Sequence, residues 1–191
     1  MTGPSPSRWN APNAVTVVRI ALVPVFAATM LASGGTSAGW RVVATAVFVL
    51  AAATDRLDGY LARRFDRITD LGKLLDPIAD KLLMGTALVI LSALGELPWW
   101  VTAVILVREL GITVMRLLVL QYVVLPASRG GKIKTVLQSV AIGLYLLPLG
   151  TLPAVVTLVA AVTMGLAVAT TVVTGVEYVL RVVQIRRAAR A

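Results

Sequence analysis

The chain has 191 residues, 58% of them hydrophobic, with a mean hydropathy of +0.88 and a formal net charge of +9. That is too apolar for an ordinary soluble domain, and the length suits one membrane-embedded unit rather than two domains. With no cysteine and no histidine, disulfides, thiolate zinc sites and Cys or Ser–His nucleophile systems are excluded, so acid–base or metal chemistry falls to Asp, Glu, Lys or Tyr.

In chain order, residues 1–12 form a short polar N-terminus, with no small-residue cleavage site after a short apolar run. Apolar runs follow at 13–33, 39–57, 77–95, 98–122, 135–150 and 152–180. Most approach the ~20 residues that cross a bilayer, and the fifth is the shortest. None alternates, which predicts helices rather than a transmembrane barrel. The expected fold is therefore all-α and integral to the membrane, a bundle of six transmembrane helices spanning 13–185, followed by a basic tail at 186–191.

The connections alternate in charge. Residues 33–39 and 148–153 are uncharged, and 95–98 carry only Glu96. By contrast, 56–73 hold Arg56, Arg63, Arg64, Arg67 and Lys73, and 126–134 hold Arg129, Lys132 and Lys134. The positive-inside rule puts those two basic loops and both termini in the cytoplasm. Arg41 breaks the pattern and is expected to snorkel to the outer interface. Trp9, Trp40, Trp99 and Trp100 fall at predicted interfaces as an aromatic belt. Glu177 lies in an apolar span without an evident partner. The basic residues flank apolar spans, so anionic lipid and phosphate are the expected partners, and nucleic acid is not.

Four aspartates stand out. Asp55 and Asp58 are spaced i, i+3, and Asp76 and Asp80 are spaced i, i+4, so each pair shares a helical face. Both pairs fall at predicted cytoplasmic ends, of spans two and three. Carboxylates there are costly unless their charge is offset, and Lys81 would compensate part of it. Four hard oxygen donors suit Mg²⁺ or Mn²⁺, and paired metals suit phosphoryl transfer. The blander reading makes them caps or surface charges beside Arg and Lys. Gly59 and Ala62 allow close approach to the backbone. Pro77 either begins the third helix after an Asp76 cap or kinks a longer one.

The pattern Asp55-x2-Asp58-Gly59-x2-Ala62-Arg63-x8-Gly72-x3-Asp76-x3-Asp80 resembles, at every defined position, the signature of the CDP-alcohol phosphotransferases. These are membrane enzymes with six transmembrane helices that move a phosphatidyl or related group from a CDP-linked donor to an alcohol. The resemblance implies that Asp55, Asp58, Asp76 and Asp80 bind two divalent ions, Asp55 and Asp76 bridging, and that Asp80 doubles as general base. It implies that Asp58, Gly59, Ala62, Arg63 and Gly72 line the CDP-lipid site, and that the enzyme is a homodimer.

The resemblance runs over roughly residues 10 to 180 and is strongest to the bacterial phosphatidylglycerophosphate synthase branch. Residues Asn10 to Arg19, the segment Leu75 to Lys81, Arg108-Glu109, Arg116 and Gly131 to Gln138 carry it, and Thr174-Gly175-x2-Tyr178 fits weakly. This branch implies a bacterial plasma-membrane location, CDP-diacylglycerol as donor and sn-glycerol 3-phosphate as acceptor. A dianionic acceptor needs cations not committed to metal or CDP, and Arg108, Arg116, Lys132 and Lys134 suit it, with Arg19 added. Asn13 and Thr16 join the CDP-lipid site. Alternatively, Asn13, Thr16 and Arg19 simply begin the first helix, Lys132 and Lys134 are ordinary flanking charges, and Arg116 snorkels. An arginine as deep as Arg108 should face a polar cavity. Helix geometry points Glu109 away from Arg108, leaving it to orient another cation. Competing functions are a cardiolipin synthase or a phosphatidylinositol-phosphate synthase of the same family and, from a different class, a divalent-cation transporter.

Overall fold

A computed structural model describes residues 11–32, 34–64, 70–119 and 129–188. Within these helices, the side chains at 11–15, 55–64, 70–77, 116–119, 129–130, 132 and 185–188 lie outside the described set. Six α-helices occur among the described residues: α1 (Ala11–Leu31), α2 (Ala38–Arg64), α3 (Asp70–Ala93), α4 (Trp99–Val119), α5 (Arg129–Leu146) and α6 (Ala154–Ala188), with a 3₁₀ turn at Leu149–Thr151. No strand appears among them.

The helices follow the six apolar runs, but several extend past them. The second continues to Arg64, the third starts at Asp70, and the sixth reaches Ala188. Helical hydrogen bonding continues through polar residues where hydropathy has already fallen. Pro77 thus sits within α3 rather than at its start. Pro24 lies inside α1, where it removes one rung of the helical ladder.

α3 is the centre of the bundle and packs on α1, α2, α4 and α5. α1 pairs closely with α2, α5 with α6, and α6 also touches α4. The core joins Phe26 and Met30 of α1, Phe48 of α2, Leu83, Leu88 and Leu91 of α3, Ile105 of α4 and Ile142 and Leu146 of α5. The Phe26 and Phe48 rings lie 5.9 Å apart at 51°, within the range of favourable tilted aromatic pairs.

Turn chemistry fixes two of the connections. The α3–α4 turn is a Schellman motif: Gly95, at φ +76°, donates to the Ser92 carbonyl, and Glu96 N–H donates to the Leu91 carbonyl. This sets Glu96 immediately beyond α3, and Pro98 then leads into α4. Between α1 and α2, Gly35 has φ +75°, and a Cβ there would come within 2.6 Å of Leu94 Cδ1. Only glycine meets both the backbone conformation and the close approach.

Arg41 departs from expectation. It is 6% exposed rather than snorkelled. Its guanidinium pairs with Glu96 through both terminal nitrogens, Nη2 to Oε2 at 2.6 Å. It also donates to the carbonyls of Tyr145 (2.7 Å), Leu146 (3.2 Å) and Gly35 (3.4 Å). Hydropathy treats a lone arginine as a cost, yet here a carboxylate and three backbone carbonyls converge on it and bind α2 to both the α3–α4 turn and the end of α5.

The exterior is apolar. Val107, Leu158, Val155 and Leu180 are well exposed, as are Trp40, Trp99 and Trp100, whereas Arg19, Arg41, Lys134 and Gln138 are buried. That inverts the arrangement of a water-soluble protein. Within the described residues, Ala154–Gln184 is the helix long and apolar enough by itself to cross a membrane, and Thr16–Leu31, Ala38–Thr54 and Ile133–Leu146 are shorter apolar stretches. Ionisable side chains interrupt α3 at Asp80 and Lys81 and α4 at Arg108 and Glu109.

Candidate active site

Three helices bring ionisable and amide side chains to one cavity of about 50 Å³. α3 supplies Asp80 and Lys81, α4 supplies Glu109, and α5 supplies Lys134 and Gln138. Met84 and Gly85, one turn along α3, and Leu106 and Leu110 of α4 complete its apolar wall. The volume exceeds what one water requires. Asp80 and Lys134 are separated by 54 positions in sequence and meet only because α3 packs against α5.

Behind this cavity runs a cation–carboxylate relay. Glu109 Oε1 accepts from Arg108 Nη1 at 2.9 Å and also forms an ion pair with Lys134 Nζ. Arg108 is therefore not turned away from Glu109. Its side chain is long enough to fold back along α4, against the expectation from Cα directions alone. Glu109 does orient a second cation, Lys134, as expected. Arg108 Nη2 donates to Thr174 Oγ1 of α6 at 2.9 Å. Gly175 permits that crossing, since a Cβ there would meet Arg108 Cγ at 3.2 Å. Arg108 does not itself line the cavity; it reaches it through Glu109.

Lys134 is 2% exposed and Gln138 4% exposed. They are one turn apart on the buried face of α5. Neither has the exposure of an ordinary flanking charge or polar surface residue. Three buried polar atoms find no hydrogen-bond partner among the described residues: Arg108 Nε, Gln138 Oε1 and Tyr178 Oη. Such atoms are few in native structures and call for a reason. All three belong to the helices of this relay.

The remaining sequence candidates fall into two groups. Thr16 and Arg19 are both 1% exposed on the inner face of α1. Arg19 Nε reaches Thr54 Oγ1 at 3.5 Å, next to the Asp55 end of α2, and neither residue lines the cavity. The side chains of Asn13, Asp55, Asp58, Gly59, Ala62, Arg63, Gly72, Asp76, Arg116 and Lys132 lie outside the described residues. Their helices are described: Asp55 and Asp58 are on α2, Asp76 and Asp80 on α3, and those two helices pack together. Carboxylates are hard oxygen donors, so by residue type these four would suit a hard divalent cation. Among the described residues no three potential ligands converge, since only Asp80 of the four belongs to that set. Glu177 is exposed on α6.

Sequence reasoning did not give Gln138, Thr174 or Tyr178 a place in the site. All three stand in segments that resemble the family, and nothing in their own spacing marked them. Their signal is burial without a partner, or a bond across helices, which coordinates alone reveal.

Comparison with known proteins bears on the family. A family model described as CDP-alcohol phosphatidyltransferase matches residues 9–173. A protein of Mycobacterium tuberculosis named probable phosphatidylglycerophosphate synthase is 51% identical over 172 residues, covering 90% of this chain and 81% of that one. Proteins named CDP-diacylglycerol–glycerol-3-phosphate 3-phosphatidyltransferase are 40% identical in Bacillus subtilis, over 73% of this chain and 77% of that one, and 37% identical in Rickettsia bellii, over 88% and 93%.

Proposed function

Because the chain belongs to the CDP-alcohol phosphatidyltransferase family, we propose that it transfers the phosphatidyl group of CDP-diacylglycerol to sn-glycerol 3-phosphate, giving phosphatidylglycerol phosphate and CMP. One observation carries the reading: Asp80 and Lys134 line a single cavity, and Glu109 ties Lys134 to Arg108 at its edge. A carboxylate suited to taking a proton thus stands beside cations suited to a phosphate-bearing alcohol.

In the proposed reaction Asp80 acts as general base and removes the proton of the glycerol 1-hydroxyl. The freed oxygen forms a bond to the β-phosphorus of CDP-diacylglycerol. The bond from that phosphorus to the bridging oxygen breaks, and CMP leaves with the electron pair. Lys134, held by Glu109, and Arg108, held by Glu109 and Thr174, offer charge-assisted donors to the acceptor phosphate. Arg116, Lys132 and Arg19 are further acceptor-site cations in this reading. Asn13, Thr16, Asp58, Gly59, Ala62, Arg63 and Gly72 hold the CDP-lipid. Asp55, Asp58, Asp76 and Asp80 would hold two divalent ions, Mg²⁺ or Mn²⁺, whose role when bound is to neutralise pyrophosphate charge.

The apolar exterior and buried cations support a multi-pass arrangement of all six helices in a bacterial plasma membrane. Both termini and the Asp80 cavity then face the cytoplasm, where glycerol phosphate and CDP-lipid headgroups are presented. A homodimer is part of the same proposal. The test is CMP release by purified protein supplied with CDP-diacylglycerol and Mg²⁺. Chelator-sensitive release with glycerol 3-phosphate is expected. Release only with phosphatidylglycerol or inositol phosphate would keep the chemistry and replace the acceptor.

A further inference from the structure

Gln138 is the buried amide of the cavity, and neither the ion-pair relay nor the proton transfer uses it. Its side chain is 4% exposed, lines the cavity with Asp80 and Lys134, and its Oε1 has no hydrogen-bond partner. A buried amide oxygen without a donor is costly, and a ligand that supplies one recovers that cost. An amide oxygen accepts only. In this orientation of the amide it has no use for a phosphate oxygen, and the group it meets on a ligand carries O–H or N–H.

Among the other polar side chains of the cavity, Lys81 is a cation that only donates and so suits the acceptor phosphate. Glu109 is bound by Arg108 and Lys134. Thr135, exposed, donates its hydroxyl to the Gly131 carbonyl at 3.0 Å. Asp80 is assigned to the nucleophilic hydroxyl and Lys134 to the phosphate. Glycerol 3-phosphate held between those two residues has one polar group left, the hydroxyl on its middle carbon. Gln138 lies one turn from Lys134 on the same face of α5.

On the proposed function as its premise, we infer that Gln138 Oε1 accepts a hydrogen bond from the C2 hydroxyl of the acceptor, making Gln138 a specificity-determining residue. The site then selects a phosphate-bearing alcohol with a hydroxyl on the carbon next to the one that bears the attacking oxygen. An acceptor lacking that hydroxyl leaves Oε1 buried and unpaired.

The experiment compares glycerol 3-phosphate with 3-hydroxypropyl phosphate, which lacks only the C2 hydroxyl, in the wild-type protein and in Gln138→Leu. The wild type is expected to favour glycerol 3-phosphate by about 10- to 100-fold in kcat/KM, the range for a buried polar group left unpaired. In Gln138→Leu that ratio is expected to fall to within about threefold of one. Equal use of both acceptors by the wild type overturns the inference without reference to any variant, so misfolding of Gln138→Leu does not shelter it. A ratio unchanged in Gln138→Leu, with both acceptors slowed alike, also overturns it and makes Gln138 a packing residue. Absence of turnover with glycerol 3-phosphate in the wild type, alongside turnover of another acceptor, refutes the proposed function and the inference with it.

Discussion

Two arginine–glutamate pairs sit toward opposite ends of the bundle and differ in what they leave unsatisfied. The two ends are about 18 Å apart along α5, from Lys134 near its start to Leu146 at its end. At the Leu146 end, every guanidinium nitrogen of Arg41 has a partner: Glu96 and the carbonyls of Gly35, Tyr145 and Leu146. At the Lys134 end, Glu109 bridges Arg108 and Lys134, yet Arg108 Nε and Gln138 Oε1 remain unpaired beside a cavity. The first is a closed network that holds helices together. The second is preorganised but incomplete, as a binding site must be. An ion pair in an apolar chain is thus no sign of function by itself; the unfilled hydrogen-bonding capacity around it is.

This contrast makes activity and stability separable. The largest effect is expected for Asp80→Asn, which should lower turnover by about 10²- to 10⁴-fold, the usual worth of a general base, with its thermal melting in detergent close to wild type. Full turnover in that variant would remove Asp80 from the chemistry. Arg41→Met should do the reverse. Removing one partner of a buried pair costs about 3–5 kcal/mol, and Glu96, at 28% side-chain exposure, recovers some hydration, so the low end is expected. A clear fall in melting temperature with both KM values unchanged would fit. An acceptor KM that rises without loss of stability would erase the distinction between the ends.

A smaller effect belongs to Thr174→Val, which deletes the oxygen that receives Arg108 Nη2. Loss of one hydrogen bond to a charged donor should raise the acceptor KM by about fivefold, read from initial rates at saturating CDP-lipid. The smallest is Gly35→Ala. Its positive φ and the nearby Leu94 methyl predict about 1 kcal/mol of destabilisation, seen as a modest drop in melting temperature and no change in either KM.

The sequence was most legible where one-dimensional patterns suffice. Apolar runs located all six helices, and α4, expected at 98–122, forms at Trp99–Val119. Helix ends were less legible on the charged side, because hydropathy falls at Arg56 or Lys73 while backbone hydrogen bonding does not. The four-aspartate pattern pointed to metal and phosphate chemistry through residue type and spacing. Partners distant in sequence were not legible. Nothing along the chain joins Arg41 to Glu96, 55 residues away, or Glu109 to Lys134, 25 residues away. Both pairings depend on which helices become neighbours. Gln138 is the extreme case: it closes a segment that resembles the family, yet its own place in the site comes only from burial without a donor.

The central claim is that the Lys134 end receives the acceptor phosphate. Its most direct test is the pair of KM values measured in Lys134→Ala. The account predicts that the KM for sn-glycerol 3-phosphate rises about tenfold or more, consistent with loss of a charge-assisted contact, while that for CDP-diacylglycerol stays within about twofold of wild type. An unchanged acceptor KM, or an equal rise in both, would contradict it.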